Sequence, residues 1–204
     1  MKEYQDNQQR DKPYQLSKYR HINLAVFIFA VLVNSLPAQT FSSINSRVEE
    51  VFDISRVFVT LNTLLFPVLH PVFAFPSSWI LDNYGIKVGC TLGGIFVVAG
   101  VWMRTLLTHG SPAFCLIGST LAAIGNIFIL GSSSVFAINW FSSASAPKII
   151  SVTVLLNLVS SGIGAAVGGI FLDQNSTEGQ IIHFLKIEAI IITIPYIFLI
   201  IFLR

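Results

Sequence analysis

Asn34, Gln39, Asn62, His70, Asn126, Asn139, Trp140 and Asn157 each stand inside long apolar runs, and the chemistry such side chains offer there is hydrogen bonding. A polar group facing hydrocarbon is left unsatisfied, so most of these side chains must face other helices or a cavity. Bonding between helices is one use of them, and lining the path of a solute is the other. His70, in "FPVLHPVFAFP", can bond backbone freed by Pro67 and Pro71, or line a cavity as a switch. Trp140 can anchor a helix end at the membrane interface or wall a site. Asn34 and Gln39 would point roughly 140° apart on an ideal helix, with Pro37 between them to loosen the turn. No Ser-His-Asp set, HExxH motif or paired carboxylates accompany them, which argues against an enzyme. Cys90 and Cys115 lie in apolar blocks with no CxxC pair and no clustered histidines, so the expectation is packing cysteines, no metal and no cofactor.

The elements that position these residues follow from composition. The 204 residues are 53% hydrophobic and only 11% charged, with a mean hydropathy of +0.73. Apolar residues arrive in blocks of about 20, the length that crosses roughly 30 Å of hydrocarbon. The net charge of +2 is dispersed rather than gathered, which excludes nucleic acid as a partner. The expected fold class is an all-α polytopic membrane protein, because lipid offers the backbone no partners and spanning segments must be helical. Six spans are expected, at about 22–44, 57–81, 88–107, 113–141, 149–172 and 182–203, forming one domain over 21–204. Residues 1–20, polar and mixed in charge, read as a retained, disordered cytoplasmic tail.

Loop charge sets the expected orientation. With the N-terminus cytoplasmic, Lys2, Arg10, Lys12, Lys18, Arg20, Lys87, Lys148 and Arg204 fall inside, while Arg47, Arg56, Arg104 and Lys186 fall outside. Asn175, in the triplet Asn-Ser-Thr, then lies on the outer face as a candidate glycosylation acceptor. No charge occurs from Pro112 to Pro147, and the centres of the other spans are expected to carry none, so no proton-coupling carboxylate is expected. Gly164 and Gly168 form a GxxxG spacing that lets helices approach closely.

"SSWILDNYGIKVG", residues 77–89, interrupts the apolar pattern with Asp82, Gly85 and Lys87. It resembles the loop between the second and third helices of the major facilitator superfamily, with Ser78 at the first glycine position and Ile86 at the first basic one. More narrowly, Pro76, Trp79, Leu81, Asp82, Gly85 and Lys87 are similar to the branch of feline leukaemia virus subgroup C receptor-related carriers, associated with haem and choline. "FILGSSSVFAINWF", "GIGAAVG" and the Asn34-Ser35 pair resemble that branch's fourth, fifth and first helices. A tryptophan that follows the Asn-Ala/Ser pair in its choline-binding members stands as Ala38 here, and an Asn-Gln pair of its fifth helix aligns with Ser161-Gly162. The resemblance implies one six-helix half of a facilitator-type carrier for a small organic solute. It also implies a second half or a second copy as partner, alongside the bilayer, and a cytoplasmic gate at Asp82, Gly85 and Lys87. The alternative expectation is a six-span fragment or interaction protein that transports nothing. Since only one half is present, a fragment is expected over a chain that pairs with itself.

Overall fold

The computed structural model describes residues 20–107, 113–172 and 176–202; the tail before residue 20, Asn175 and Arg204 lie outside them. The described residues contain no strand. We number the helices α1 (Arg20–Asn34), α2 (Leu36–Phe52), α3 (Arg56–Arg104), α4 (Ala113–Trp140), α5 (Ala146–Phe171) and α6 (Glu178–Phe202). With α1 and α2 taken together over His21–Phe52, five helices are long and apolar enough to cross a membrane.

α3 is not one straight rod. At 49 residues a straight helix would reach about 74 Å, more than twice the hydrocarbon thickness. Its backbone leaves the helical region at Gly85, where φ is +82°. No atom crowds the space a Cβ would fill there, so the left-handed φ alone is what requires glycine. The contacts on either side show the direction reversing. Before Gly85, Asn62 bonds Ser119, Phe66 packs on Ala122 and Ser77 lies beside Gly131, so residues 56–84 run parallel to α4. After it, Gly89 approaches Ser132, Gly93 approaches Phe128 and Gly100 approaches Gly118, so residues 86–104 run antiparallel to α4. Leu81, folded back over Gly89 and 2% exposed, fills the inside of the bend.

Small residues bring the antiparallel pair together. A Cβ on Gly100 would lie 2.5 Å from the Gly118 carbonyl, and one on Gly125 would lie 2.5 Å from that of Gly93. The expected GxxxG contact is also present: Gly164 abuts the Leu36 backbone and Gly168 abuts Ser43 and Ile44, fixing α5 against α2. The core between them holds Phe27 stacked on Phe136 at 4.5 Å. The outside is apolar instead, with Phe75, Leu155, Ile170 and Phe171 exposed, the reverse of a helix bundle that meets water.

Helix boundaries differ from expectation most at two places. α2 continues through "NSRVEEVF" to Phe52 rather than stopping near Ile44, because Phe41, Ile44, Val48 and Phe52 recur at helical spacing and are all buried. It ends where Asp53 turns left-handed at φ 52° and its N–H bonds the Glu49 carbonyl. The last helix begins at Glu178 rather than Ile182.

Candidate functional site

The break between α1 and α2 follows from Pro37. Proline has no N–H to give the Val33 carbonyl, and its ring clashes with that carbonyl in a regular helix. The chain responds at Ser35, which adopts φ −97°, ψ 0°, and Ala38 N bonds Ser35 O at 3.2 Å instead of the carbonyl four residues back. Asn34 O and Ser35 N are thereby released, and other helices take them up. The Asn126 side-chain amide donates to Asn34 O at 3.1 Å and to Ser35 Oγ at 3.3 Å. Ser35 N donates to Ser160 Oγ at 3.2 Å. The Asn34 side chain accepts from the Tyr196 hydroxyl at 2.7 Å and donates to Asn126 O at 3.5 Å. Asn34, Ser160 and Tyr196 are completely buried. Asn126 and Ser160 occupy the midpoints of α4 and α5, so the network sits at half the depth of the bundle.

Asn62 belongs to a different cluster. Its side-chain oxygen accepts from Ser119 at 2.7 Å and from the Cys115 thiol at 3.4 Å, while its amide returns to Phe58 O. The other sequence-predicted residues are not gathered with these. His70 and Asn139 are exposed on the outside of the described bundle; Gln39, Trp140 and Asn157 are half-buried. Trp140 stacks on Phe136 at 6.2 Å, and Asn157 Nδ2 has no hydrogen-bond partner. Asp82 and Lys87 are exposed on either side of the bend. The ion pairs among the described residues are Arg47–Glu50 and Arg56–Glu49, so Asp82 and Lys87 form no ion pair among them.

The expectation that the spans are uncharged at their centres is corrected by Glu188. Glu188 lies ten residues into α6, about 15 Å along it, and is 9% exposed. The Thr40 hydroxyl lies 2.5 Å from Glu188 Oε1 and 2.9 Å from the Leu36 carbonyl. Arg104, expected near the outer surface, is 1% exposed. Its guanidinium lies 4.6 Å from the Phe41 ring centroid, and none of its three side-chain nitrogens has a hydrogen-bond partner. Arg104 stays inside because α3 is held against Gly118 at that point, leaving its side chain directed to α2 rather than to a loop. A signal for Glu188 existed in the sequence: counted from Glu178, it falls half a membrane thickness deep. Among the described residues no group of three or more His, Cys, Asp or Glu could hold a metal ion.

No family model matches the chain. It is similar over 154 residues, at 27% identity, to the choline/ethanolamine transporter FLVCR1 of Mus musculus, an overlap that takes in 75% of this chain and 27% of that protein. An uncharacterized MFS-type transporter of Caenorhabditis elegans is 24% identical over 179 residues, 87% of this chain and 30% of its own length. The human choline/ethanolamine transporter FLVCR2 is 22% identical over 179 residues, 87% of this chain and 34% of its own length. The chain thus spans about a third or less of the relatives it matches, which are named as transporters and not as enzymes. Its long apolar helices and these relatives together make it an integral, multi-pass membrane protein similar in sequence to the carrier branch that its motifs resemble.

Proposed function

We propose that this chain is one half of a facilitator-type carrier that moves a small organic solute by alternating access. The observation that carries the reading is the broken first helix. A helix interrupted at mid-membrane, with its released backbone groups held by side chains of two other helices, is how carriers build a solute site at that depth. The similarity to named transporters supports it. On this reading residues 56–84 and 86–104 are separate crossings, giving six, and the N-terminus is cytoplasmic.

Asn34, Gln39, Asn62, His70, Asn126, Asn139, Trp140 and Asn157 are the polar set from which the solute path draws. Choline and ethanolamine, named for the relatives, are the first solutes to test. Ala38 packs with Phe66, Ala122 and Ala123, so this position contributes no aromatic face for a quaternary ammonium. Asp82 and Lys87, exposed and not paired with each other, supply the cytoplasmic gate by bonding a second half or a second copy, with Gly85 turning the chain between them. Those bonds hold one arrangement and break as the halves rock.

The test is uptake of labelled choline and ethanolamine into vesicles carrying the full chain, alone and with a co-expressed second half. Uptake above empty vesicles is expected where the partner is present. Asp82→Asn should lower turnover about tenfold, the worth of one charge-assisted bond, with surface expression unchanged. Equal uptake by the variant would remove the gate role.

A further inference from the structure

Glu188 lies on a cavity that the solute path does not use. Between α2, α5 and α6 is a space of about 240 Å³, walled by apolar side chains such as Leu36, Phe184 and Ile191, with Thr40 and Glu188 as its polar members. A second, more polar hollow of about 470 Å³ lies at the start of α6, bordered by Thr177, Gln180 and His183. The two share Phe171, Phe184 and Ile187, so they adjoin, with Glu188 on the wall of one and His183, which is exposed, on the rim of the other.

The charges facing Glu188 are few. α2 and α5 bring no charged residue to the cavity wall. Arg104 of α3 lies on the Phe41 ring and makes no ion pair with Glu188 among the described residues. On α6 itself, Lys186 and His183 are exposed. The carboxylate is therefore held in an apolar wall with one hydroxyl, that of Thr40, within hydrogen-bond reach. A metal cation is a poor fit, since hard cations take about six oxygens. The oxygens in reach are the carboxylate pair, Thr40 Oγ1 and the Leu36 carbonyl; a proton needs only one.

We propose that Glu188 is a proton-binding site, reached from the hollow at the start of α6 by way of His183. The proton arrives from water through the imidazole, which takes up one proton as it passes one on, and settles on Oε2 while Oε1 keeps the Thr40 hydroxyl. Protonation removes the one formal charge on the wall of this cavity. The inference goes beyond solute transport and stands without it.

The test is infrared spectroscopy of the full chain in lipid vesicles, following the carbonyl band of a protonated carboxylic acid between about pH 4 and 9. The wild-type protein should show a band that disappears as pH rises, and Glu188→Gln should lose it entirely. His183→Ala should leave the band's midpoint in place while slowing its response to a pH jump. Thr40→Val, which keeps the carboxyl, should move the band's frequency by removing its donor, and it keeps the test open if the glutamine variant fails to fold. No titrating band in the wild type, an unaltered band in Glu188→Gln, or an unmoved band in Thr40→Val would overturn the proposal. Solute uptake is not part of this readout, so a titrating Glu188 in a chain that moves no solute would count against the carrier reading alone.

Discussion

Two of the buried polar regions in the bundle meet the cost of polarity in opposite ways. At the break between α1 and α2 every member is neutral, and Asn34, Ser35, Asn126, Ser160 and Tyr196 satisfy one another across four helical segments. At the end of α3, Arg104 is buried, and its guanidinium has an aromatic face but no hydrogen-bond acceptor among the described residues. A satisfied neutral network fixes one arrangement of the helices. A charge with unmet donors has better partners elsewhere, so it marks a place where the arrangement can change.

Three substitutions break or sharpen that contrast. Asn126→Leu removes the donor to Asn34 O and Ser35 Oγ and leaves both buried acceptors without it. It should lower stability by about 3 kcal/mol, measured by denaturant unfolding in mild detergent. Arg104→Met should act in the opposite direction, raising stability by about 2 kcal/mol, because an apolar side chain of similar length avoids the desolvation of an unpaired charge. A loss of stability instead would mean that Arg104 is a fixed structural member and would erase the distinction between the two regions. Tyr196→Phe deletes a single bond to Asn34 and should cost about 1 kcal/mol, in line with interhelical bonds in membranes. If it costs as much as Asn126→Leu, the network acts as one unit rather than as separate bonds.

Much of this was legible in the sequence, and the misses have a common cause. Blocks of apolar residues announced the helices, Pro37 announced the loosened first helix, and Gly164 and Gly168 announced a close helix contact without naming its partner. Asn34 and Asn126 were singled out as polar residues in apolar runs, and the structure joins them. Nothing in the sequence said that they would meet, since 92 residues separate them and their contact depends on how α4 packs on α1. Glu188 was passed over because a single acidic residue in "KIEAIIITIP" barely changes the average apolarity of its block, although its depth along the helix is what matters. Arg104 was assigned to a loop end because a charged residue near a helix terminus usually reaches water.

By itself the sequence determined where the chain must be helical, that the protein resides in lipid, and that Gly85 and Pro37 are places where a helix must bend or part. These are local consequences: the hydrocarbon forces backbone bonds inward, a positive φ calls for glycine, and proline withholds a donor. Only the tertiary structure decided which helix receives the groups released at Ser35, and that an arginine and a glutamate face the interior. Those outcomes depend on glycine contacts that set how closely α3 and α4 approach, and hence on which side chains have room to turn inward.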